Sequence, residues 1–253
     1  MNYFTVCVAG HNIAIQPRNV ELSEHFAQYL SDERPEYTVC ITEEDICNER
    51  EKYIRELGLE GISFSELPRV MYEFTAAQRK IADILIDRDI ILFHGSVVAV
   101  DGTAYLFTAK SGTGKSTHTR LWRELFRERA VMVDDDKPFL HISGDGVTVY
   151  GTPWNGKHRL GNNISLPLGG ICLLERGAEN RIEPVRPSDT LGFIVQQTHR
   201  PPSARKTCKY LELLNRLTAC MRFWRMECNM DPQAAVVSYE AMSGKRKEES
   251  DED

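Results

Sequence analysis

The chain has 253 residues, of which 42% are hydrophobic and 27% are charged, a composition typical of globular proteins with ample material for a core. Its net charge of −6 argues against a general nucleic-acid or membrane-surface binder. No run of apolar residues approaches the roughly 18 needed to span a bilayer, and the N-terminal residues lack the basic start of a signal peptide. Seven scattered cysteines without metal-ligand spacing indicate reduced thiols and predict a cytoplasmic protein.

Residues 1–65 predict a small α/β N-terminal lobe that contains no catalytic constellation. Strand-like and helix-like signals alternate there, at Tyr3–Val8, Asn12–Ile15, Glu21–Leu30 and Tyr37–Ile41. The segment Thr42–Arg55 that follows is polar and rich in charge. Apolar residues then recur at helical spacing from Ser65 to Arg88, which predicts a long helix forming the spine between two halves of the chain.

We assign residues 66–243 to a catalytic domain and residues 244–253 to a charged, disordered tail. Two apolar, strand-like runs, Ile90–Val100 and Thr103–Ala109, are joined by Asp101-Gly102, which is a strong hairpin-turn signal. Further strands are predicted at Ala130–Asp136, Phe139–Ser143, Val147–Tyr150, Leu166–Leu174 and Arg222–Cys228. Further helices are predicted at Thr117–Phe126, Ser188–Thr198, Ala204–Ala219 and Asp231–Met242.

The segment that begins at Ala109 reads AKSGTGKST and fits a phosphate-binding loop, AxxxxGKS. Gly112 and Gly114 let the backbone curl until its N–H groups face a phosphate chain. Lys115 is then expected to reach the β- and γ-phosphates, and the Ser116 hydroxyl to bind Mg²⁺. The alternative is a Gly-rich turn, but the strand before it and the amphipathic helix after it favour the loop. We predict a nucleoside triphosphate site, using ATP and Mg²⁺, at Ser111, Gly112, Thr113, Gly114, Lys115, Ser116 and Thr117.

A strand that ends in Asp134, Asp135 and Asp136 follows the loop. Phosphoryl transfer needs Mg²⁺ held across the phosphates and a carboxylate near the acceptor hydroxyl. Adjacent acids at a strand end can divide these tasks, since successive side chains point opposite ways; the alternative is a solvated acidic turn. His94 interrupts the apolar run on the other side of the hairpin, so we expect it beside the phosphates unless it is a hydrogen-bonded core residue.

Three motifs in this order, FHGSVVAV, AKSGTGKST and VMVDDDKP, resemble the catalytic domain of the HPr kinase/phosphorylase family, whose layout the phosphoenolpyruvate carboxykinases share more distantly. The resemblance covers about residues 90–200. It implies a mixed-sheet α/β P-loop kinase domain in which Lys115 and Ser116 bind phosphate and Mg²⁺ and His94 is the motif histidine. It also makes Asp135 and Asp136 the paired acids, one of them the general base; Asp135 is our metal candidate, although the division stays open. Asp134 stands where the family has a neutral residue, so we expect its substitution to be mild.

Two segments depart from the bifunctional members of that family. Gly151–Gly161 corresponds to a Gly-rich loop that carries a metal-binding Glu in those members, but here it contains no acid. It offers an aromatic platform at Trp154 and cations at Lys157 and Arg159, which are candidate substrate residues unless the loop is a surface turn. Arg186 is a further candidate, because PVRP matches a segment linked to the reverse reaction, although Ser-Asp follows it where those members have Gly-Arg.

The sequence therefore predicts an ATP-dependent kinase that transfers a phosphoryl group to a hydroxyl of a protein, peptide or small molecule, without nucleic-acid or membrane partners. Two alternatives stay open: a nucleotide-binding regulatory module without catalysis, and a carboxykinase-like enzyme, for which the chain is short. The sequence does not decide the acceptor, the preferred triphosphate, or whether the protein is a homo-oligomer.

Overall fold

The computed structural model describes residues 3–110, 112–156 and 158–245. Its contacts divide the chain into two compact units, Met1–Leu85 and Ile86–Asp253. Ser111, Lys157 and the tail from residue 246 lie outside the described residues. The boundary between the two units lies at the end of the long helix, after Leu85. The sequence analysis placed the domain boundary earlier, near residue 65.

In the first unit, three strands form a small sheet. Strand β2 (His11–Gln16) pairs antiparallel with β1 (Phe4–Val8) and parallel with β3 (Tyr37–Cys40). The stretch predicted as a helix between β2 and β3 is a 3₁₀ helix, Val20–Tyr29. The apolar face of the sheet and this helix supply the core of the unit, as the alternating signals indicate.

Helix α1 (Glu43–Glu60) lies in the charge-rich segment to which the sequence analysis gave no structure. Its start is fixed by a capping box, in which the Thr42 hydroxyl accepts the Asp45 N–H and the Asp45 carboxylate accepts the Thr42 N–H. This start signal was present in the sequence, but the helix is mostly solvent-exposed and shows little apolar periodicity.

Helix α2 (Arg69–Leu85) belongs to the first unit because its buried face packs there. Phe74 contacts Phe26 of the 3₁₀ helix edge to face. The buried Glu73 carboxylate accepts the backbone N–H of Asn19 at 3.1 Å. These contacts explain why the helix groups with residues before 65 rather than with those after 88.

The second unit confirms the mixed-sheet α/β architecture. Its described residues contain nine strands of one sheet: β4 (Ile90–Leu92), β5 (Ser96–Val100), β6 (Thr103–Thr108), β7 (Ala130–Asp134), β8 (Phe139–Ser143), β9 (Gly146–Tyr150), β10 (Ser165–Arg176), β11 (Arg181–Val185) and β12 (Phe223–Cys228). The order is β4-β8-β9-β10-β6-β5-β7. The start of the long strand β10 pairs with β9, and its end lies between β6 and β12, which in turn pairs with β11.

Strands β6, β7, β10 and β12 of this sheet run in the same direction. Strand β5 is antiparallel to both β6 and β7, β10 is parallel to β6, and β12 is parallel to β10. The carboxyl ends of β6, β7, β10 and β12 therefore meet at one edge of the sheet, together with the start of β5. Asp101 and Gly102, with φ of 51° and 79°, form the predicted hairpin turn that leads the chain into β6.

Helices cover both faces of the sheet: α3 (Lys115–Phe126), α4 (Pro187–Gln196), α5 (Ala204–Cys220) and α6 (Gln233–Ser243). Leu106 of β6 packs in the core with α4 and α5, and its neighbour Phe107 packs with α3 and α6. Strand β11 was not among the predicted strands; it pairs with β12 at one edge of the sheet, where Pro184, a residue without an N–H, is tolerated. Within the part of the chain described, no helix combines the length and hydropathy of a membrane span.

Candidate functional site

The segment between β6 and α3 contains two glycines with positive φ just before the helix. Gly112 and Gly114 have φ of 71° and 123°, a region that residues with side chains rarely adopt. Helix α3 begins directly after them, so its first N–H groups point toward the loop. Arg176, from the end of β10, donates a hydrogen bond to the Gly112 carbonyl at 2.6 Å. The sequence analysis did not single out Arg176, which lies 64 residues from its partner.

Lys115 is the first residue of α3, and its side chain is half-buried at the loop. Its ammonium group lies 3.4 Å from the Ala109 carbonyl. Burial and the nearby Lys137 lower its pKa, although the charges of Asp136 and Asp135 oppose the shift. Lys115 is therefore within electrostatic range of both predicted acids.

Asp134 is fully buried and organises the turn after β7. One of its carboxylate oxygens accepts the backbone N–H groups of Asp136 and Lys137 at 2.8 and 2.7 Å. The other accepts the N–H and the hydroxyl of Thr152 at 2.8 and 2.9 Å. Burial raises the pKa of Asp134 to about 7, against the effect of these bonds. These bonds argue against the expectation that substitution of Asp134 is mild, since the acid holds two loops together.

Asp135 faces the phosphate-binding loop and is 4% exposed. Its Oδ1 accepts a hydrogen bond from the buried Ser96 hydroxyl at 3.3 Å, and the Ser116 hydroxyl lies near enough to act on the pKa of the carboxyl group. Burial raises its pKa, although Ser96, His158 and Ser116 lower it in part. A carboxylate and a hydroxyl from the two predicted metal positions thus lie side by side.

Asp136 points to His94 instead, with 3.1 Å between its Oδ1 and the histidine Nε2. Burial acts to raise the pKa of Asp136, but His94, Lys137 and Lys115 outweigh it and leave the pKa below its ordinary value. Burial lowers the pKa of His94 below its ordinary value, with Lys137 and Lys115 acting the same way and Asp136 opposing them. The pair therefore consists of an ionised carboxylate and a neutral imidazole near pH 7.

The backbone around His94 explains how it reaches this position. The predicted strand Ile90–Val100 is interrupted at Phe93–Gly95, between β4 and β5. The His94 carbonyl accepts the Thr108 hydroxyl at 2.9 Å, and the Gly95 N–H donates to the Asp136 carbonyl at 3.0 Å. A side chain at Gly95 would collide with Leu106 and the Phe107 carbonyl. The end of β6, His94 and Asp136 are in this way tied to one another.

The loop Gly151–Gly161 reaches the acids through uncharged side chains. Besides the bonds of Thr152 to Asp134, Asn155 Oδ1 lies 3.4 Å from the Asp135 N–H, and Asn155 Nδ2 donates to the Thr152 carbonyl at 2.8 Å. A Cβ at Gly161 would overlap the Asn155 amide. The sequence analysis missed Thr152 and Asn155 because it searched this loop for aromatic and charged groups.

The three candidate substrate residues that the structure describes are not assembled as expected. Trp154 is 5% exposed and packs edge to face on Phe139, so it forms part of the core rather than an exposed platform. Arg159 is exposed, and Lys157 lies outside the described residues. Arg186 follows the residue that pairs with Phe223 at the start of β12, so it lies at the edge of the sheet opposite the loop, where it pairs with Asp189 at 3.1 Å.

Metal binding at this site would involve few protein ligands. In the residues that the structure describes, no group of three or more His, Cys, Asp or Glu side chains has the geometry of a metal site. The Asp135 carboxylate and the Ser116 hydroxyl offer two oxygen ligands. Oxygen donors in this number suit Mg²⁺, which commonly keeps waters and binds substrate phosphates.

No protein-family model matches the chain, and no curated protein matches it. Among solved structures, the chain is similar to the structure of the HPr(Ser) kinase/phosphatase from Coxiella burnetii, at 9% sequence identity. The match covers 60% of this chain and 95% of that chain, with a TM-score of 0.32. This likeness is distant, and it leaves the activity of the chain open.

Proposed function

We propose that the chain is an ATP-dependent kinase of the HPr kinase type, which transfers the γ-phosphoryl group of ATP to a hydroxyl. The observation that carries the proposal is the division of the paired acids: Asp135 is bonded to Ser96 on the side of Ser116, whereas Asp136 contacts His94. Both acids follow β7, whose carboxyl end lies at the same edge of the sheet as the phosphate-binding loop.

The loop and the start of α3 would bind the triphosphate. Backbone N–H groups around Gly112 and Gly114 and the positive end of the helix favour an anion there, and Lys115 adds a charge that can follow the transferred group. Ser116 and Asp135 would hold Mg²⁺, which draws electron density from the transferring phosphoryl group and offsets its negative charge. Ser96, which is buried and bonded to Asp135, fixes the direction of that carboxylate.

Asp136 would act as the general base. Because its pKa lies below the ordinary value, the carboxylate is ionised at neutral pH and able to accept a proton. The acceptor hydroxyl loses its proton to Asp136 as its oxygen bonds to the γ-phosphorus, and the bond from that phosphorus to the β–γ bridging oxygen breaks to release ADP. The hydrogen bond from His94 holds the carboxylate in position.

A regulatory module that binds nucleotide without chemistry is the second candidate, because Gly151–Gly161 contains no acid. The contact of Asn155 with the backbone of Asp135 gives this loop a supporting role that needs no carboxylate. Under the kinase proposal, the missing acid removes one metal ligand and leaves the base in place.

The two candidates are separated by following ADP release and label transfer from γ-phosphate-labelled ATP with Mg²⁺. The acceptor mixtures are the protein fraction and the small-molecule fraction of a cell extract, tested separately. We expect one mixture to stimulate ADP release by the wild type, to receive the label, and to do neither with Asp136→Asn. Asp145→Asn, an exposed acid in the β8–β9 turn, is the matched control and should behave as the wild type. Tight ATP binding without acceptor-dependent release in either mixture would contradict the kinase proposal and favour the regulatory module.

A further inference from the structure

Lys137 directly follows the candidate base in the sequence, and its backbone is held by buried residues. Its N–H donates to the Asp134 carboxylate at 2.7 Å, and its carbonyl oxygen lies 2.9 Å from the Thr152 hydroxyl. Both partners are fully buried. Pro138 comes next, and its carbonyl accepts the Phe93 N–H at 3.0 Å. The place of Lys137 in the site is therefore fixed by the fold, which a solvated surface lysine would not require.

The register of the chain beside β4 brings the Lys137 side chain to the transfer site. The antiparallel pairing of β4 with β8 continues as far as the bond from the Gly95 N–H to the Asp136 carbonyl. In this register His94 stands opposite Lys137, and directly opposite residues of an antiparallel pair have their side chains on the same face. The Lys137 Nζ lies 4.0 Å from Asp136 Oδ2. His94, Asp136 and Lys137 therefore form one group of side chains.

The ammonium group of Lys137 is not needed to hold the candidate base. Its 4.0 Å contact with Asp136 is too long for a hydrogen bond, and His94 already holds that carboxylate at 3.1 Å. A positive charge beside a general base also lowers the pKa of the base and so weakens it, as Lys137 does for Asp136. The side chain is 29% exposed, so an anion can reach it. A lysine in this place therefore calls for a further role in the reaction.

The transferring phosphoryl group offers such a role. In the proposed reaction this group leaves the loop, where Lys115 lies, and bonds to an acceptor oxygen that gives its proton to Asp136. A cation 4.0 Å from Asp136 is therefore on the acceptor side of the group. The negative charge on the phosphoryl oxygens approaches Lys137 only as the group moves toward the acceptor. Their contact is then stronger in the transition state than with bound ATP, which is the condition for faster transfer.

We propose that Lys137 is a catalytic residue that binds the transferring phosphoryl group from the acceptor side, opposite Lys115 at the loop. The inference rests on the proposed function, since it concerns the same transfer to a hydroxyl. The two lysines divide their tasks: Lys115 binds the phosphates of the donor, and Lys137 acts mainly in the transition state. The buried Asp134 supports this arrangement, because one oxygen of its carboxylate accepts the backbone N–H groups of both Asp136 and Lys137.

Single-turnover transfer of label from ATP to the acceptor mixture that stimulates ADP release tests this role in the full chain. Lys137→Met should lower the transfer rate at saturating Mg·ATP about 10- to 100-fold, the effect of one charge-assisted contact, and change the Mg·ATP affinity less than about threefold. Lys137→Arg, which keeps the charge, should recover most of the rate. Lys110→Met, at an exposed lysine, is the matched control and should transfer label as the wild type does. The unfolding midpoints of all three variants should match that of the wild type.

A rate loss in Lys137→Met cannot come from a weaker base, because the substitution removes one cause of the lowered pKa of Asp136. Transfer by Lys137→Met at the wild-type rate would overturn the inference and leave the proposed function standing, and so would equal losses in Lys137→Met and Lys137→Arg. A rate loss with an equal loss of Mg·ATP affinity would assign Lys137 to donor binding and also overturn it. A folded wild type that binds Mg·ATP and labels neither acceptor mixture would refute the proposed function, and the inference with it.

Discussion

Replacement of Asp134 by Asn should destabilise the second unit, although the side chain changes by only one atom. The carboxylate accepts four hydrogen bonds, two on each oxygen, and each donor comes from the turn after β7 or from Thr152. The Asn amide can keep its oxygen toward the N–H groups of Asp136 and Lys137. Its NH₂ group then faces Thr152, whose hydroxyl can turn to accept it because the Lys137 carbonyl takes the hydroxyl proton.

The Thr152 N–H, in contrast, loses its hydrogen-bond acceptor, and Thr152 is fully buried. An orphaned buried N–H costs about 1–3 kcal/mol. We therefore expect Asp134→Asn to lower the free energy of unfolding by about 1–3 kcal/mol near pH 4, because the raised pKa of Asp134, near 7, makes the ionised carboxylate cost folded-state stability at higher pH and so offsets the loss there.

The assay is urea denaturation followed by tryptophan fluorescence. All three tryptophans, Trp122, Trp154 and Trp224, lie in the second unit, so the signal reports on that unit alone. Asp145→Asn, at an exposed turn, is the control and should change the free energy by less than about 0.5 kcal/mol. If Asp134→Asn were as mild as Asp145→Asn, the assignment of Asp134 as the acid that joins the two loops would be refuted.

Three further predictions concern transfer. Asp136→Asn should lower the rate of phosphoryl transfer by about 10²–10⁴ while Mg·ATP affinity stays within about threefold; a transfer rate near that of the wild type would remove Asp136 as the base. Arg186→Ala should change the transfer rate less than about twofold, because Arg186 lies at the opposite edge of the sheet; a tenfold loss would show that it acts at the site. The ionisation of Asp136 should not limit the transfer rate between about pH 7 and 8, since its pKa is lowered and a base of this kind loses activity only as pH falls through that lowered pKa. The same range lies above the lowered pKa of His94 but near that of Asp134, about 7, so an ionisation in this range that persists in Asp134→Asn would contradict these directions.

The parts that could be predicted from the sequence are those that neighbouring residues determine. The strand, the loop with two glycines and the amphipathic helix α3 form a continuous segment, and Asp101-Gly102 specifies the hairpin that leads into it. The mixed sheet was implied by the resemblance to the kinase family and agrees with the hairpin, which cannot itself supply the parallel neighbour of β6. That neighbour is β10, some sixty residues later in the chain.

The parts that could not be predicted depend on residues far apart in the sequence. Asp134 is the structural one of the three consecutive acids because it bonds to Thr152, 18 residues away in the sequence. No local sequence pattern indicates that contact. Trp154 was interpreted as exposed because it lies in a loop rich in Gly, Pro and charge, yet Phe139 covers it. Helix α1 was missed for a different reason: its capping box is local, but its exposed faces give no apolar periodicity.

The measurement that tests the central claim most directly is the affinity of the full chain for Mg·ATP with and without the Lys115 side chain. Lys115→Ala should weaken binding about 10- to 100-fold, because a charge-assisted contact to phosphate is worth roughly 1.5–3 kcal/mol, with the tryptophan fluorescence and unfolding midpoint unchanged. Lys110→Ala, an exposed lysine in the same loop, is the matched control and should bind as the wild type does. Equal affinity of Lys115→Ala and the wild type, or no binding by a folded wild type, would contradict the account.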